Sequence, residues 1–340
     1  MLTDKCQTVP MTKLSDRKPE KPDKKRSKPR PTAKVWIFVL VALQILLRLA
    51  IAGVGISVIA GSMLYVWRSH TNPNIPIPPA QVANQVSPAL PETPAIPSPE
   101  LLAKLKELTP KPEVMQLQVL VFDVDAGTYA NLNADQPFPA GGTIQLPILV
   151  AFLQMVDQGK LRLNAPFDRP DGTKIPLLTA AVSMIRTGDN TATNILLSAM
   201  GGTDAVNQLW QSWQMKQTRL NSLLPDSDGA NTTSCADLVH LLSMVERGQI
   251  LKLRSRDRLM DILARTEAND LLPQGLGADA RIFHKMGDTA GSIGDAGIVD
   301  MPNGKRYLTA VLVKRTSDNA PAHDLIRNIS STTYNFLSST

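Results

Sequence analysis

Residues 139–160 read PAGGTIQLPILVAFLQMVDQGK, a short glycine-containing loop that runs into an apolar segment. Large apolar side chains from Leu146 to Val156 leave almost no polar face, which predicts a helix buried on most sides. Asp157 and Gly159 mark its expected end. A helix buried in this way lies at the centre of a domain. Its N-terminus therefore holds several unpaired backbone N–H groups in fixed positions.

The segments on either side of this central helix alternate between two kinds of pattern. Periodicity and flanking turn residues predict helices at 101–108, 176–223, 234–248 and 323–338, and strands at 116–124, 129–133, 281–285, 293–300 and 306–313. Asn303-Gly304 predicts a hairpin turn between the last two strands. Strands from both ends of the region must meet in one antiparallel sheet covered by helices, so the fold class is α+β.

Charge divides the chain into two unlike parts. The formal net charge is +6, yet residues 1–48 contain 12 Lys and Arg against 4 Asp and Glu, whereas residues 100–340 contain 23 against 25. The basic character therefore belongs to an N-terminal tail. Because the globular part is slightly acidic, we expect no nucleic-acid partner.

Residues 35–67 form an apolar stretch long enough to cross a bilayer. Leu49–Trp67 alone carries no charge and meets the roughly 20-residue requirement. Many cations precede it and few follow, which predicts a cytoplasmic N-terminus and an extracytoplasmic C-terminal region at the plasma (inner) membrane. We expect an uncleaved single-pass anchor. A cleavable signal ending near Ala50-Ile51-Ala52 is the alternative.

The predicted organisation has four parts. Residues 1–34 are a basic tail whose composition cannot bury a core. The anchor at 35–67 is followed by a proline-rich linker at 68–99, and the globular domain covers 100–340. Nine prolines between Pro73 and Pro99 favour an extended linker that holds the domain away from the membrane.

Cysteine and histidine patterns give no sign of a disulfide, a metal site or a cofactor. Cys6 lies in the tail, and Cys235 begins a predicted helix, so a membrane would separate the two thiols. The four histidines are His70, His240, His284 and His323, and none has metal-ligand spacing.

The N-terminus of the central helix resembles the active-site helix of class A serine β-lactamases and penicillin-binding proteins. The family pattern is S-T-I-K-L-P, and this chain reads Gly142-Thr143-Ile144-Gln145-Leu146-Pro147. Further segments match in family order: LPILVAF, DNTATN, TRLN and GDAGIV. The resemblance covers about residues 100–338. It implies the β-lactamase/transpeptidase fold, with a five-stranded antiparallel sheet flanked by helices and a helical subdomain.

The same resemblance identifies five positions where a functional side chain is replaced. Gly142 stands for the serine nucleophile, and Gln145 for the lysine that assists it. Gly188 replaces the serine of S-D-N, and Gln217 replaces the glutamate of E-x-x-L-N. Met286 replaces the hydroxyl residue of K-T-G. The next hydroxyl, on Thr143, is rotated about 100° around the helix and has Leu146 three residues later, so it is a poor substitute.

Other motif positions keep the family residue and are candidates for ligand binding: Asp189, Asn190, Asn221, Lys285 and Gly287. The resemblance assigns an oxyanion hole to the backbone N–H groups of Gly142 and Asp288. Lys285 is expected to be partly exposed and to attract a carboxylate. Asn190 also suits a helix N-cap, which is the alternative to a contact with a substrate amide.

Three functions remain open from the sequence. The first is a membrane-anchored, non-hydrolytic domain that binds a cell-wall-related ligand such as peptidoglycan, a β-lactam-like compound or a protein partner. The second is an active serine β-lactamase or D,D-peptidase with atypical residues. The third is a structural domain whose tail and anchor carry the function.

Overall fold

The computed structural model describes residues 95–110, 115–289, 291–314 and 320–340. The predicted tail and anchor, and all of the linker up to residue 94, lie outside these residues. Within the described part of the chain, no helix is both long and apolar enough to cross a membrane.

Eight α-helices and ten strands are described. The helices are α1 (Pro99–Glu107), α2 (Gln145–Asp157), α3 (Leu177–Thr187), α4 (Asn190–Ala199), α5 (Gly202–Ser212), α6 (Cys235–Glu246), α7 (Leu253–Leu263) and α8 (Ala320–Ser339). The strands are β1 (Ile96–Pro97), β2 (Gln116–Asp123), β3 (Thr128–Leu132), β4 (Phe138–Pro139), β5 (Pro166–Asp168), β6 (Lys174–Pro176), β7 (Thr232–Thr233), β8 (Arg281–Asp288), β9 (Ser292–Asp300) and β10 (Arg306–Lys314). Short 3₁₀ helices cover Gly141–Ile144 and Leu272–Gly275.

The main sheet has six strands in the order β1-β3-β2-β10-β9-β8. The five long strands pair antiparallel, as the sequence predicts, and the hairpin at Asn303-Gly304 joins β9 to β10. The sixth strand, β1, adds a parallel edge that the prediction lacked. Ile96 N donates to Gly127 O at 2.9 Å and Ser98 N to Tyr129 O at 2.7 Å. A two-residue strand containing proline has no alternation to detect, and proline is tolerated there because the strand lies at an edge.

Two apolar layers sandwich this sheet. Alternate residues of β2 point to opposite faces, so Val119 and Val121 pack with α1 and α8, while Leu120 and Phe122 pack against the larger helical side. The larger layer contains α2, whose residues from Leu146 to Leu153 are buried. The prediction of a central helix buried on most sides is therefore confirmed from Leu146 to Leu153, whereas the last turn, residues 154–157, is only partly buried.

The helical region predicted for residues 176–223 is shorter than expected. It comprises α3, α4 and α5 and ends at Ser212. The Asp237 carboxylate accepts hydrogen bonds from Lys216 N at 3.0 Å and Gln217 N at 2.7 Å, which holds the following backbone in a loop. The sequence pattern also missed α7 and the small β4–β7 and β5–β6 sheets.

Candidate functional site

A single turn of 3₁₀ helix at Gly141–Ile144 leads directly into α2. Ala140 N donates to Asn231 O at 2.9 Å, and Gly141 has a φ of +50°, a conformation that favours glycine. The Thr143 hydroxyl is fully buried and donates to Ala140 O at 2.5 Å. Thr143 therefore offers no accessible nucleophile.

Gly142 faces strand β8 at very close range. A Cβ built on Gly142 would lie 2.9 Å from Gly287 Cα and 3.2 Å from Met286 O. Real Cβ atoms essentially never approach backbone to less than 3.0 Å. The position that the resemblance assigns to the nucleophile therefore has no room for a side chain unless β8 moves. The φ of Gly142 is not positive, so the obstacle is steric and not conformational.

Gln145 is buried and its amide orientation is set by a short relay of hydrogen bonds. Thr193 Oγ1 donates to Asp189 O at 2.8 Å, which uses its only proton. The same oxygen must then accept from Gln145 Nε2 at 3.0 Å. Gln145 Oε1 is left buried without a protein partner. A neutral amide in this network cannot act as a general base.

The segment Gly188-Asp189-Asn190 joins α3 to α4. Gly188 ends α3 with a φ of 70°, a left-handed conformation that favours glycine at a helix C-terminus. Asp189, not Asn190, is the N-cap of α4, because its side chain accepts from Ala192 N at 3.0 Å. Asn190 is the first residue of α4 and lines the cleft described below. The alternative of Asn190 as N-cap is therefore wrong.

The loop that faces the cleft contains Leu224 and Pro225 and excludes Gln217. Gln217 is held through its backbone: its N–H bonds to Asp237, and its carbonyl accepts from Thr232 Oγ1 at 2.8 Å. Asn221 likewise lies away from the cleft lining, with its side-chain amide on Ala230 O at 2.6 Å. The expectation that Gln217 and Asn221 belong to the site is therefore not met by the geometry.

Leu224 is presented to the cleft by a two-way clamp. Asn194 Nδ2 donates to Leu224 O at 2.6 Å, and Leu224 N donates to Asn194 Oδ1 at 3.0 Å. The peptide bond to Pro225 is cis. A loop leucine beside a cleft gives no sequence signal, whereas the TRLN match drew attention to the wrong part of the same loop.

Lys285 contributes a buried cation to the cleft. Its side chain is only 4% exposed, which corrects the expectation of a partly exposed lysine. Lys285 Nζ donates to Met286 O at 2.7 Å. Burial lowers the pKa of Lys285 to about 8, and the negative charge of Asp295 opposes part of that shift. At pH 7 the ammonium form therefore still predominates.

The opposite face of β8 carries a buried polar cluster. His284 Nδ1 lies 2.8 Å from Asp295 Oδ1, and His284 Nε2 lies 3.1 Å from Asn269 Oδ1. Leu272 N donates to the other oxygen of Asp295 at 3.2 Å. His284 and Lys285 point to opposite sides of the strand, as the alternation predicts. These contacts fix the strand from behind and leave His284 no access to the cleft.

The cleft between the start of α2, the α3–α4 junction and β8 has a volume of about 740 Å³. Gly142, Gln145, Gly188, Asn190, Lys285, Gly287 and Asp288 all line it, so the structure brings together most of the residues that the sequence singled out. Arg186 and Glu267 form a 2.6 Å ion pair at its rim. In the described residues, no group of three or more His, Cys, Asp or Glu side chains has the arrangement of a metal site.

The two motif positions at the start of α2 lack the side chains of an acyl-transfer pair, and the hydroxyl groups of Thr187, Ser227 and Thr289 line other parts of the cleft. Acyl transfer needs a nucleophile within hydrogen-bond reach of a base. Gly142 supplies no nucleophile and Gln145 no base, while Leu224 is apolar. Lys285 and Asn190, which line the cleft, are groups that can donate hydrogen bonds to carboxylate and carbonyl oxygens.

Comparison with known proteins identifies relatives of this fold. Residues 100–337 match the model of the family described as "Beta-lactamase enzyme family". The solved structure of PBP-A is 40% identical, with a TM-score of 0.71, and the match covers 73% of this chain and 99% of PBP-A. An ancestral class A β-lactamase is 26% identical, with a TM-score of 0.65 over 70% of this chain and all of that one.

A curated relative, β-lactamase L2 of Stenotrophomonas maltophilia, is 36% identical over 110 residues. That match spans only 36% of the relative's length and 30% of this chain. The family model, by contrast, spans well over half of the chain. On that basis this chain belongs to the β-lactamase enzyme family and is related to PBP-A and the class A β-lactamases.

Proposed function

We propose that this chain is a non-hydrolytic member of its family, a domain that binds a cell-wall-related ligand reversibly in the cleft. The observation that carries the proposal is the contact between Gly142 and Gly287. A Cβ at Gly142 would lie 2.9 Å from Gly287 Cα, so this position has no room for a nucleophilic side chain unless β8 moves. The glycine at 142 and the strand packed directly on it support the proposal that no covalent intermediate forms at this position.

Two further features support the absence of turnover. Gln145 is built into the hydrogen-bond network of Thr193 and Asp189 in the place of a catalytic lysine. Leu224 lines the cleft, and its apolar side chain cannot take a proton from water. Asp226 of the same loop also lines the cleft, but its carboxylate already accepts hydrogen bonds from Ser222 Oγ, Ala230 N and Asn231 N. Each loss removes a different step: nucleophilic attack, activation of the nucleophile, and hydrolysis of the ester.

The ligand class follows from what the cleft retains. Lys285 is a buried ammonium at neutral pH, and Asn190 offers an amide at the opposite wall. By the family resemblance, the backbone N–H groups of Gly142 and Asp288 would form the oxyanion hole for a carbonyl oxygen. A peptide or lactam that carries a carbonyl group and a carboxylate satisfies this set, which is why we favour peptidoglycan stem peptides or β-lactam-like compounds.

We further propose that residues 35–67 anchor the chain in the plasma (inner) membrane, with the domain on the extracytoplasmic side. The support is the distribution of charge: 12 Lys and Arg lie in residues 1–48. A reporter that works only outside the cytoplasm should be active when it is fused after residue 70. Reporter activity in the cytoplasm would contradict both the anchor and the location.

Intact-mass spectrometry with penicillin G tests the absence of chemistry. A leucine-to-glutamate mutant of PBP-A was solved as an acyl-enzyme complex with penicillin G, which makes that mutant a suitable positive control. We expect no mass increase for this chain under conditions that label the mutant. Hydrolysis of a chromogenic cephalosporin should not exceed that of a heat-denatured sample.

The alternative function is an active serine β-lactamase or D,D-peptidase with atypical groups. Its support is the class of the relatives and the open 740 Å³ cleft. A covalent adduct or turnover above the control would establish it and would overturn the non-hydrolytic proposal. Peptide mapping of the adduct would then identify the residue that reacts.

A titration followed by NMR tests the binding itself. Millimolar penicillin G or a stem peptide should shift the backbone signals of Gly142 and Gly287. The Lys285→Met variant should bind at least ten-fold more weakly, whereas the exposed Lys314→Met control should bind normally. Unchanged signals in the unmodified chain would exclude cleft binding of these ligands and leave a protein partner or the structural role.

A further inference from the structure

Gln145 brings a buried hydrogen-bond acceptor to the wall of the cleft. Its side chain is 1% exposed and lines the cleft, whereas Thr193, which accepts from its Nε2 at 3.0 Å, does not line it. The two arms of the planar amide diverge, so Oε1 points away from Thr193 and is the arm available to the cleft. No described residue donates a hydrogen bond to this oxygen. A buried acceptor without a donor destabilises the native state, and a ligand that donates to it removes that cost.

The contact between Gly142 and Gly287 determines where Gln145 and Lys285 lie. Gln145 follows Gly142 by three residues, so the two share one face of the helical turn. Lys285 precedes Gly287 by two residues, so the two share one face of β8. Gly142 and Gly287 face each other so closely that a Cβ on either would clash. An acceptor on α2 and an ammonium on β8 therefore flank the same contact, and both residues line the cleft.

The space beside these two groups is open at the α3–α4 junction. Thr193 Oγ1 donates to Asp189 O at 2.8 Å, which places the Gln145 amide next to that junction. Gly188, the residue before Asp189, lines the cleft, and a Cβ built on it would meet no described atom within 4 Å. There is therefore room for the backbone of a ligand beside Gln145 on this side of the cleft.

Lys285 and Gln145 together define the chemistry of the ligand. A lysine ammonium has three donors, and Met286 O accepts from Lys285 Nζ, so the remaining donors can bind a carboxylate or a carbonyl oxygen. Gln145 Oε1 needs a donor, which a carboxylate, an ester and the fully substituted ring nitrogen of a β-lactam all lack. A ligand ammonium would be repelled by the charge of Lys285. A secondary amide beside a carboxylate supplies both the N–H and the acceptor oxygens.

We propose that Gln145 Oε1 accepts a hydrogen bond from an amide N–H of the bound ligand, and that the cleft thereby selects a peptide with a secondary amide next to its carboxylate. The inference rests on the proposed function, because it presupposes reversible binding in the cleft. It also gives residue 145 a role in binding. A lysine there would offer only donors, whereas glutamine presents an acceptor at the same place, so the substitution changes what the cleft recognises.

A comparison of an amide with an ester in the full-length chain tests the inference. N-acetyl-D-alanyl-D-alanine and its ester analogue, N-acetyl-D-alanyl-D-lactate, differ only in that an oxygen replaces the N–H nearest the carboxylate. Titrations at pH 7 should give a dissociation constant about ten-fold larger, or more, for the ester. The Gln145→Met variant should bind the two ligands with similar affinity. Lys285→Met should weaken binding of both ligands and preserve their ratio, because its ammonium meets the carboxylate that they share.

Gln154→Met is the matched control. Gln154 lies on the same helix, and its Oε1 is also buried without a partner among the described residues, but it does not line the cleft. This variant should therefore keep the preference for the amide. Equal binding of the two ligands by the unmodified chain would overturn the inference and leave the proposed function standing, and that comparison does not depend on the folding of any variant. A preference that persists in Gln145→Met would also overturn the inference. Binding of neither ligand would overturn the proposed function of peptide binding, and the inference with it.

Discussion

Gly142 and Gly287 are in backbone-to-backbone contact, and a Cβ at either position would clash with the backbone of the other. A Cβ on Gly287 would collide with Gly142 N and lie 2.6 Å from Thr143 N. A Cβ on Gly142 would lie 2.9 Å from Gly287 Cα. The start of the central helix and the edge strand of the sheet thus meet without an intervening side chain, and this contact forms the floor of the cleft.

Side chains at this contact should destabilise the fold in a graded way. Gly287→Ala should cost more than Gly142→Ala, and Gly142→Ser should be at least as harmful as Gly142→Ala. Overpacking of this kind typically costs about 1–3 kcal/mol. The matched control is Gly291→Ala, since a Cβ there meets nothing within 4 Å. Urea denaturation of the four variants gives the order, and equal stability of Gly142→Ala and Gly291→Ala would contradict the contact.

Lys285→Met should increase stability at pH 7. The buried lysine has its pKa lowered to about 8, so the native state is penalised for holding the proton. Between pH 8 and 10.5 the unfolded chain retains a proton that the native chain releases, and stability from this group rises with pH. A shift of this size corresponds to at most about 3 kcal/mol at pH 7.

Denaturant unfolding from pH 7 to pH 10 measures that dependence. The unmodified chain should gain stability relative to Lys285→Met as the pH rises through this window, until the two are similar near pH 10. Exposed Lys314→Met should follow the unmodified chain throughout. A constant difference between Lys285→Met and the unmodified chain would show that the lysine does not titrate in this range.

Ligand binding should follow the protonation of Lys285 in the opposite sense. A carboxylate needs the ammonium form, so affinity should be constant below pH 8 and fall as the pH rises above it. Because Lys285 is buried, added salt should weaken binding only slightly, whereas the partly exposed lysine expected from the sequence would make binding sensitive to salt. Titrations at pH 7 and 9, each at low and high salt, separate the two effects.

Gln145 and Thr193 should respond unequally to loss of their hydrogen bond. Thr193→Val leaves Gln145 Nε2 without an acceptor in an interior that already contains the unpartnered Oε1, and should cost about 1–3 kcal/mol. Gln145→Met removes both amide atoms at once and should change stability by less than about 1 kcal/mol. A larger loss of stability in Gln145→Met than in Thr193→Val would mean that Gln145 Oε1 has a partner, such as a bound water.

Restoration of hydrolysis should depend on Leu224 and not on Gln217. In a Gly142→Ser, Gln145→Lys background, we expect penicillin G to acylate slowly and remain attached. Adding Leu224→Glu should release the adduct, because that position lines the cleft. Adding Gln217→Glu instead should not release the adduct, because residue 217 does not line the cleft. Decay of the adduct mass over time compares the two, and release by Gln217→Glu alone would refute the assignment.

The sequence predicted the fold well because its strongest signals are local and periodic. The apolar run from Leu146 to Leu153 and the alternation in β2 each report burial directly. Short elements such as β1 and β4 have too few residues for any period. The helix α7, LRSRDRLMDIL, has many charged residues and only four buried ones, so the sequence gives a weak apolar signal there.

The site was only partly predictable for a different reason. Motif spacing located the residues on regular elements, including Lys285 on β8 and Asn190 at the start of α4. It could not show that Lys285 is buried, because burial depends on strands far apart in the sequence. In the loop, the carboxylate of Asp237 turns Gln217 away and Asn194 turns Leu224 inward. Those contacts join segments 20 and 30 residues apart.

The contact between Gly142 and Gly287 also bears on evolutionary reversibility. A first mutation that restored serine at 142 would meet the carbonyl of Met286 and the backbone of Gly287, so it would carry a folding cost. It would bring no hydrolysis in return, since Gln145 and Leu224 would still be in place. Selection would therefore see only the disadvantage of each early step. Under the proposed function, single mutations would therefore rarely restore activity, and selection would keep the domain as a binding protein.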